Sequence, residues 1–140
     1  MTLIVDAGPL VALGDRRDRC HRAVRALLTN EPGELVVPAP VSAEVDCLVR
    51  RRGGHEAARR FLEDVAAGRF RVEGLTPEEH GVAAELDRRY KGLDPGLADL
   101  SIVLLAHRLR TRRVATFDER HFRVLRPLGG GIFTLLPAEG

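Results

Sequence analysis

Apolar residues in this chain follow two alternating patterns. Short unbroken runs, Leu3-Ile4-Val5 and Leu35-Val36-Val37, are too brief for helices and read as strands buried on both faces. Between such runs the apolar positions recur at helical spacing. Ala7-Gly8-Pro9-Leu10 turns the chain into a short helix, and Asp18 is placed to cap a second one. That helix carries Ala23, Val24, Leu27 and Leu28 as one stripe and ends at Asn30-Glu31-Pro32-Gly33. Pro38 and Pro40 close the second strand. A helix is predicted from Val41 to about Arg52, stopped by Gly53-Gly54, and another from His55 to Ala67, ended by Gly68.

Phe70 to Val72 reads as a brief strand. Thr76-Pro77-Glu78-Glu79 is a helix start, with a capping threonine, proline at the first helical position and Glu79 completing a capping box; the helix runs to Tyr90. After a loop from Gly92 to Gly96, the stretch Leu97 to Arg110 is apolar on most of its circumference, with Ser101 and Arg108 marking a polar side. A helix of that kind belongs in the middle of a fold. Arg113 to Thr116 reads as a strand, Glu119 to Phe122 as a single helical turn, and Ile132 to Leu136 as a last strand after Gly129-Gly130-Gly131. No repeat or linker interrupts the pattern, so residues 1–140 are expected to form one domain. Strands alternating with helices predict an α/β fold: an α/β/α sandwich around a mostly parallel central sheet of about five strands.

Composition narrows the function classes. Net charge is +2, from 22 basic and 20 acidic residues, and Lys91 is the only lysine. A uniformly cationic nucleic-acid coat is excluded, whereas segregated arginine and acidic patches remain open. Met1 to Val5 reaches Asp6 with no basic region before it, which does not suit a signal peptide. The longest apolar stretch is interrupted by Asp99, and about 20 residues are needed to span a bilayer. Cys20 and Cys47 have no CxxC partner, so neither a zinc site nor a disulfide scaffold is indicated. The expectation is a cytoplasmic protein with no membrane attachment.

The informative acids are those in awkward places. Asp6 directly follows the first strand and Asp118 stands just beyond Thr116 at the end of a later one, where sites form in open parallel sheets. Each also suits a helix cap. Glu44 lies at the edge of the Val41/Val45/Leu48 stripe, and Asp99 sits in the first turn of the most apolar helix, where a carboxylate needs a partner. Taken singly, each acid could serve a helix N-terminus or an arginine. Taken together, all four emerge at one end of the predicted sheet. Two carboxylates about 4 Å apart repel by roughly 1 kcal/mol in water and about 4 kcal/mol at an effective dielectric of 20. A hard divalent cation, Mg²⁺ or Mn²⁺, is the natural remedy. Asp94, in Asp94-Pro95, reads first as a turn or cap residue and second as an outer residue of such a site. His107 and His121 read first as surface or capping residues and second as residues that approach a substrate.

Asp6 after LIV, Glu44 in VSAEV, Asp99 in GLADLSIVLLA and Asp118 in VATFDERHF resemble the four acidic blocks of PIN-domain nucleases. The length and the closing FRVLRPLGGGIFTLLP are similar to the VapC-type toxins of toxin–antitoxin pairs. The resemblance implies an endoribonuclease that uses Mg²⁺ or Mn²⁺, with a five-stranded parallel sheet between helices. It also implies a homodimer and a cognate VapB-like antitoxin that covers the acidic site with a peptide. Asp6, Glu44, Asp99 and Asp118 match the metal-binding acids, and Thr116 matches a small polar residue near the fourth. The chain departs from many relatives after the first aspartate, where Ala7-Gly8 offers no hydroxyl or amide.

Phosphodiester hydrolysis in RNA would then use water activated by metal. Candidate RNA contacts are Arg16 in the Arg16-Arg17-Arg19 group, Arg50 in Arg50-Arg51-Arg52, and Arg112, Arg113 and Arg120, because a guanidinium donates bidentately to phosphate. With few aromatics, base stacking is not expected to dominate affinity. A dimer surface is expected around residues 41 to 67, where Val49, Phe61 and Leu62 exceed core needs. Two other readings compete: a PIN-fold binding module acting through antitoxin or RNA complexes, and a Mg²⁺-dependent phosphatase.

Overall fold

The computed structural model describes residues 1–138. The elements run β1 (Thr2–Val5), α1 (Ala7–Leu13), α2 (His21–Thr29), β2 (Glu34–Pro38), α3 (Ala39–Ala66), β3 (Arg71–Glu73), α4 (Pro77–Arg89), α5 (Leu97–Arg108), β4 (Arg113–Ala115), α6 (Glu119–Val124) and β5 (Thr134–Leu136). The strands form one sheet in the order β3-β2-β1-β4-β5, and every neighbouring pair is parallel. β1 is central. Leu3 pairs with Leu35, Ile4 with both Val36 and Val114, and Val5 with Ala115. Successive strand residues face opposite sides, yet Leu3, Ile4 and Val5 are all fully buried, so both faces of the sheet are covered. This is the predicted α/β/α sandwich with a wholly parallel sheet.

The helix boundaries show what the local signals meant. The capping box of α4 is formed: Thr76 Oγ1 accepts from the Glu79 N–H at 3.1 Å, and Glu79 returns a bond to the Thr76 N–H at 2.9 Å. Glu79 also receives the Arg108 guanidinium, tying α4 to α5. Gly53-Gly54 breaks the third helix at one residue only. Gly54 alone leaves helical geometry (φ 78°, ψ −167°), a conformation a side chain disfavours, and the two predicted helices run on from one another. That run starts at Ala39, before the predicted Val41, because Pro40 in a first turn sacrifices no helical hydrogen bond.

Four expectations need correction. Asp18 does not cap α2: the helix starts at His21 with Cys20 at its N-cap, and Asp18 instead accepts from the Cys20 N–H and from Arg52 of α3. Asp94 does not cap α5, whose N-cap is Gly96; Asp94 lies in the preceding turn with φ 50°. Ser101 marks no polar side, because it is wholly buried and its hydroxyl donates to the Ala98 carbonyl. Val49 and Phe61 belong to the core, and of the three apolar residues expected at a dimer surface only Leu62 is exposed. No helix is long and apolar enough to cross a membrane among the described residues.

Candidate active site

The sheet order creates a switch point. From β1 the chain moves outward to β2 and β3, then returns to the other side of β1 as β4. Ligand sites in open parallel sheets form where neighbouring strands lead in opposite directions, at their carboxyl ends. Asp6 ends β1 there, and its N–H extends the ladder by donating to the Ala115 carbonyl of β4 at 2.9 Å. Asp118 follows β4. Glu44 is brought in by the first turns of α3 and Asp99 by the first turn of α5. The four acids line one open depression, with Ala7, Gly8, Leu48 and Phe117 completing its wall.

Thr116 organises the floor. Wholly buried, its hydroxyl donates to Asp6 Oδ2 at 2.7 Å and accepts from the Asp118 N–H at 2.9 Å. One side chain therefore spaces the acids of two adjacent strands. Asp6 Oδ1 accepts from the Ala7 N–H at 2.8 Å, and Asp118 Oδ1 accepts from the His121 N–H at 3.0 Å, so both acids cap the helices they precede. Capping and membership of the cluster coincide. Thr116 also places a hydroxyl on Asp6 that the Ala7-Gly8 sequence does not provide.

His121, read from the sequence first as a surface or capping residue, stands inside the cluster. Its Nδ1 lies 2.6 Å from Asp99 Oδ2 and 3.1 Å from Asp118 Oδ2, bridging α5 and the start of α6. The three-residue spacing between Asp118 and His121 was a visible signal, since it places both on one face of a helical turn. The proximity of Asp99 to that turn was not visible.

The electrostatics are those of an under-neutralised site. Burial raises the Asp6 carboxyl above its ordinary value against the bonds from Thr116 and Ala7, and Asp99 and Asp118 push it further in the same direction. Burial likewise raises Asp99, with Asp118 adding to the shift and His121 opposing it. Glu44 at the rim is raised by burial and by Asp6 and Asp99. Elsewhere, arginines pair with Asp15, Asp18, Glu31, Glu34, Asp46, Glu56, Glu63, Asp64, Glu73 and Glu79. Among the described residues, none of the four site acids pairs with arginine or lysine, and the Glu44 carboxylate accepts no hydrogen bond. In a chain with 21 arginines that exclusion is informative. It removes the arginine-pairing reading of these acids.

The candidate arginines are dispersed. Arg120 lies on α6, two residues from Asp118 and exposed. Arg50 is paired with Asp46, and Arg16 lines a separate groove between α1, α2 and α3. Arg112 and Arg113 are at the amino end of β4, the edge opposite the acids. Arg113 makes a two-pronged pair with the buried Glu31 carboxylate at 2.8 and 2.6 Å. Placement on the far edge sets these two apart from the acidic depression. Asp94 does not line it either.

The donor set fits a hard divalent cation. Four carboxylates line the depression; Asp99, Asp118 and His121 each present a ligand atom within 4.8 Å of the others, whereas Asp6 and Glu44 stand outside that closer group. Burial first, and the neighbouring acids second, raise the proton affinity of Asp6, Glu44 and Asp99.

A parallel sheet in this order, with an arginine-free acidic quartet at its switch point, defines an α/β domain of nuclease type. The chain belongs to the PIN-domain family, whose model matches residues 3–126. It is similar to Ribonuclease VapC26 of Mycobacterium tuberculosis (strain ATCC 25618 / H37Rv), with 38% identity over 135 residues, covering 96% of this chain and all of that protein. Its fold matches the crystal structure of M. tuberculosis VapC20, described as a Sarcin-Ricin loop cleaving toxin. That match has a TM-score of 0.77 at 24% identity, covering 84% of this chain and 90% of that one. It also matches VapBC2 from Rickettsia felis, solved bound to a DNA fragment from its promoter. Here the TM-score is 0.68 at 19% identity, covering 96% and 98% of the two chains.

Proposed function

We propose that this chain is a Mg²⁺- or Mn²⁺-dependent endoribonuclease, the toxin of a VapBC-type pair. In this reading it is cytoplasmic, homodimeric and restrained by a cognate antitoxin. The observation that carries the reading is the four-acid depression, built from four separate elements and left without a cationic side chain. The likeness to a VapC ribonuclease across nearly the whole chain supports the RNA substrate, and the VapBC2 complex supports an antitoxin partner.

Asp6, Glu44, Asp99 and Asp118 would hold the metal, with His121 beside the last two. A bound divalent cation supplies Lewis-acid activation of water and neutralises charge developing on phosphate oxygens. The protein's part is orientation. Asp6 is fixed by a donor on each oxygen, Ala7 N–H on one and Thr116 hydroxyl on the other. His121 fixes Asp99 against the turn that carries Asp118. Glu44, with both oxygens free of protein donors, is the carboxylate available to accept a proton from the attacking water. Arg120, on the helix that begins beside Asp118, is the best placed of the candidate arginines to meet RNA phosphate.

The test is substitution of Asp6 or Asp99 by Asn, followed by RNA cleavage and Mn²⁺ titration calorimetry. Both variants are expected to fold, to lose cleavage and to bind Mn²⁺ more weakly. Cleavage at the wild-type rate in both would remove catalysis from this cluster.

A further inference from the structure

Of the five phenylalanines, Phe61, Phe70, Phe122 and Phe133 are in the core, whereas Phe117 is 41% exposed. It stands between two residues already fixed in the site, Thr116 and Asp118. Its ring lies against Gly8: a Cβ at that glycine would come within 3.0 Å of the ring. The missing side chain lets an aromatic face settle on the start of α1. Phe117 also divides two depressions. On one side is the acidic depression; on the other is a groove of about 680 Å³ that shares Phe117 with it and continues past Thr116 to Asp18, Arg19, Ala23 and Pro137.

Arg19 is exposed and forms no ion pair among the described residues, although it adjoins Asp18, whose carboxylate is occupied by Arg52. The groove thus combines the Phe117 ring, the exposed Arg19 guanidinium, whose charge also acts on neighbouring Asp18, and small walls from Cys20, Ala23 and Pro137, immediately beside the acids. Glu119, also on its wall, presents a carboxylate able to accept from an amino or imino group of a base. These are the features that hold an unstacked nucleotide of single-stranded RNA: a ring to stack on, an edge partner and a cation for phosphate.

We propose that Phe117 and this groove form a nucleotide subsite, in which the base flanking the scissile phosphate stacks on the Phe117 ring and the next phosphate meets Arg19. The proposal rests on the endoribonuclease reading and specifies how the substrate enters that site. It revises the expectation that scarce aromatics leave stacking a minor role, because the exposed phenylalanine borders the chemistry.

The test is steady-state cleavage of total RNA and of randomised, fluorescently labelled single-stranded RNA by wild type, Phe117→Leu, Phe117→Trp and Arg19→Ala. Leucine keeps the apolar bulk but removes the π face. Loss of one stacked base is expected to raise KM at least about fivefold in Phe117→Leu, with kcat little changed, and tryptophan is expected to restore it. Arg19→Ala is expected to raise KM and reduce its dependence on salt. The chain contains no tryptophan, so Phe117→Trp carries a single reporter. Its emission is expected to be quenched by single-stranded RNA and not by an abasic ribose-phosphate strand of equal length. Wild-type KM in Phe117→Leu, or equal quenching by the abasic strand, overturns the subsite while leaving the nuclease reading intact. A wild-type protein that cleaves neither RNA overturns both.

Discussion

Replacing Thr116 by Val tests whether the buried hydroxyl holds the acidic floor together. The two side chains have nearly the same shape, so the perturbation is the loss of one donor and one acceptor. The donor bond, to Asp6 Oδ2 at 2.7 Å, runs to a carboxylate; bonds to charged groups contribute about 1.5–3 kcal/mol. The acceptor bond, from the Asp118 N–H at 2.9 Å, is of the neutral kind and contributes about 0.5–1.5 kcal/mol. Together they predict a loss of about 2–4.5 kcal/mol, which for a chain of this length lowers Tm by about 7–15 °C. The assay is thermal unfolding with chelator present, in wild type, Thr116→Val, Asp6→Asn and the double variant. With the charge removed in Asp6→Asn, the valine substitution is expected to cost at least about 1 kcal/mol less, as a double-mutant cycle reads it. Thr116→Ser, which keeps the hydroxyl, is expected to recover most of the loss. A valine variant melting within about 2 °C of wild type would refute the reasoning, as would an equal loss in both backgrounds.

Asp6→Asn alone is expected to leave the metal-free protein as stable as wild type or more so at neutral pH, and to abolish the rise in Tm that Mn²⁺ produces. The folded carboxyl is raised above the ordinary 3.8, so its ionisation costs stability as pH rises from there through the folded value. A pH series of melts without metal checks this, since the variant should lack that part of the decline. Arg113→Ala should lose about 1.5–3 kcal/mol in urea denaturation, because it removes the two-pronged bond to the Glu31 carboxylate, which keeps only the Gly33 N–H. Glu31 is held below its ordinary 4.5, so the pair's contribution is present above that pH and is lost as pH falls through the folded value; the variant should melt with less acid sensitivity there. Cleavage by Arg113→Ala should persist at temperatures where it is folded, because Arg113 lies on the edge opposite the acids. Gly54→Ala is expected to cost about 1–3 kcal/mol by the same denaturation assay, for placing a Cβ at φ 78°, ψ −167°, a region open essentially to glycine alone.

The fold was legible wherever one local rule decided the outcome. Unbroken apolar triplets became the central strands because both faces of a parallel sheet are buried, and Thr76 and Glu79 formed their capping box because its geometry is internal to one turn. Local rules failed where other partners took the group they relied on. Asp18 had the right chemistry for a cap, but one oxygen accepts from the Cys20 N–H two residues on and the other from Arg52, 34 residues away, so α2 starts without it. The site divides on the same line. Asp6 and Asp118 were legible because a strand end fixes where an acid emerges. His121 and Phe117 were not, because their roles depend on how α5 and α1 approach the β4–α6 turn, and neither approach is encoded in spacing.

The arginines were the least legible feature, since a solvated guanidinium carries no periodic signal. Their arrangement nevertheless carries the clearest electrostatic argument. Arginine occupies acid after acid around the surface and none at the switch point. If the quartet were merely structural, pairing one of its members with arginine would relieve both the repulsion and the burial cost that raise Asp6, Glu44 and Asp99. An ion pair there would also fill the place of a cation. The near-neutral net charge therefore conceals an uneven distribution: ten acids pair with arginine, whereas the four gathered at the switch point do not.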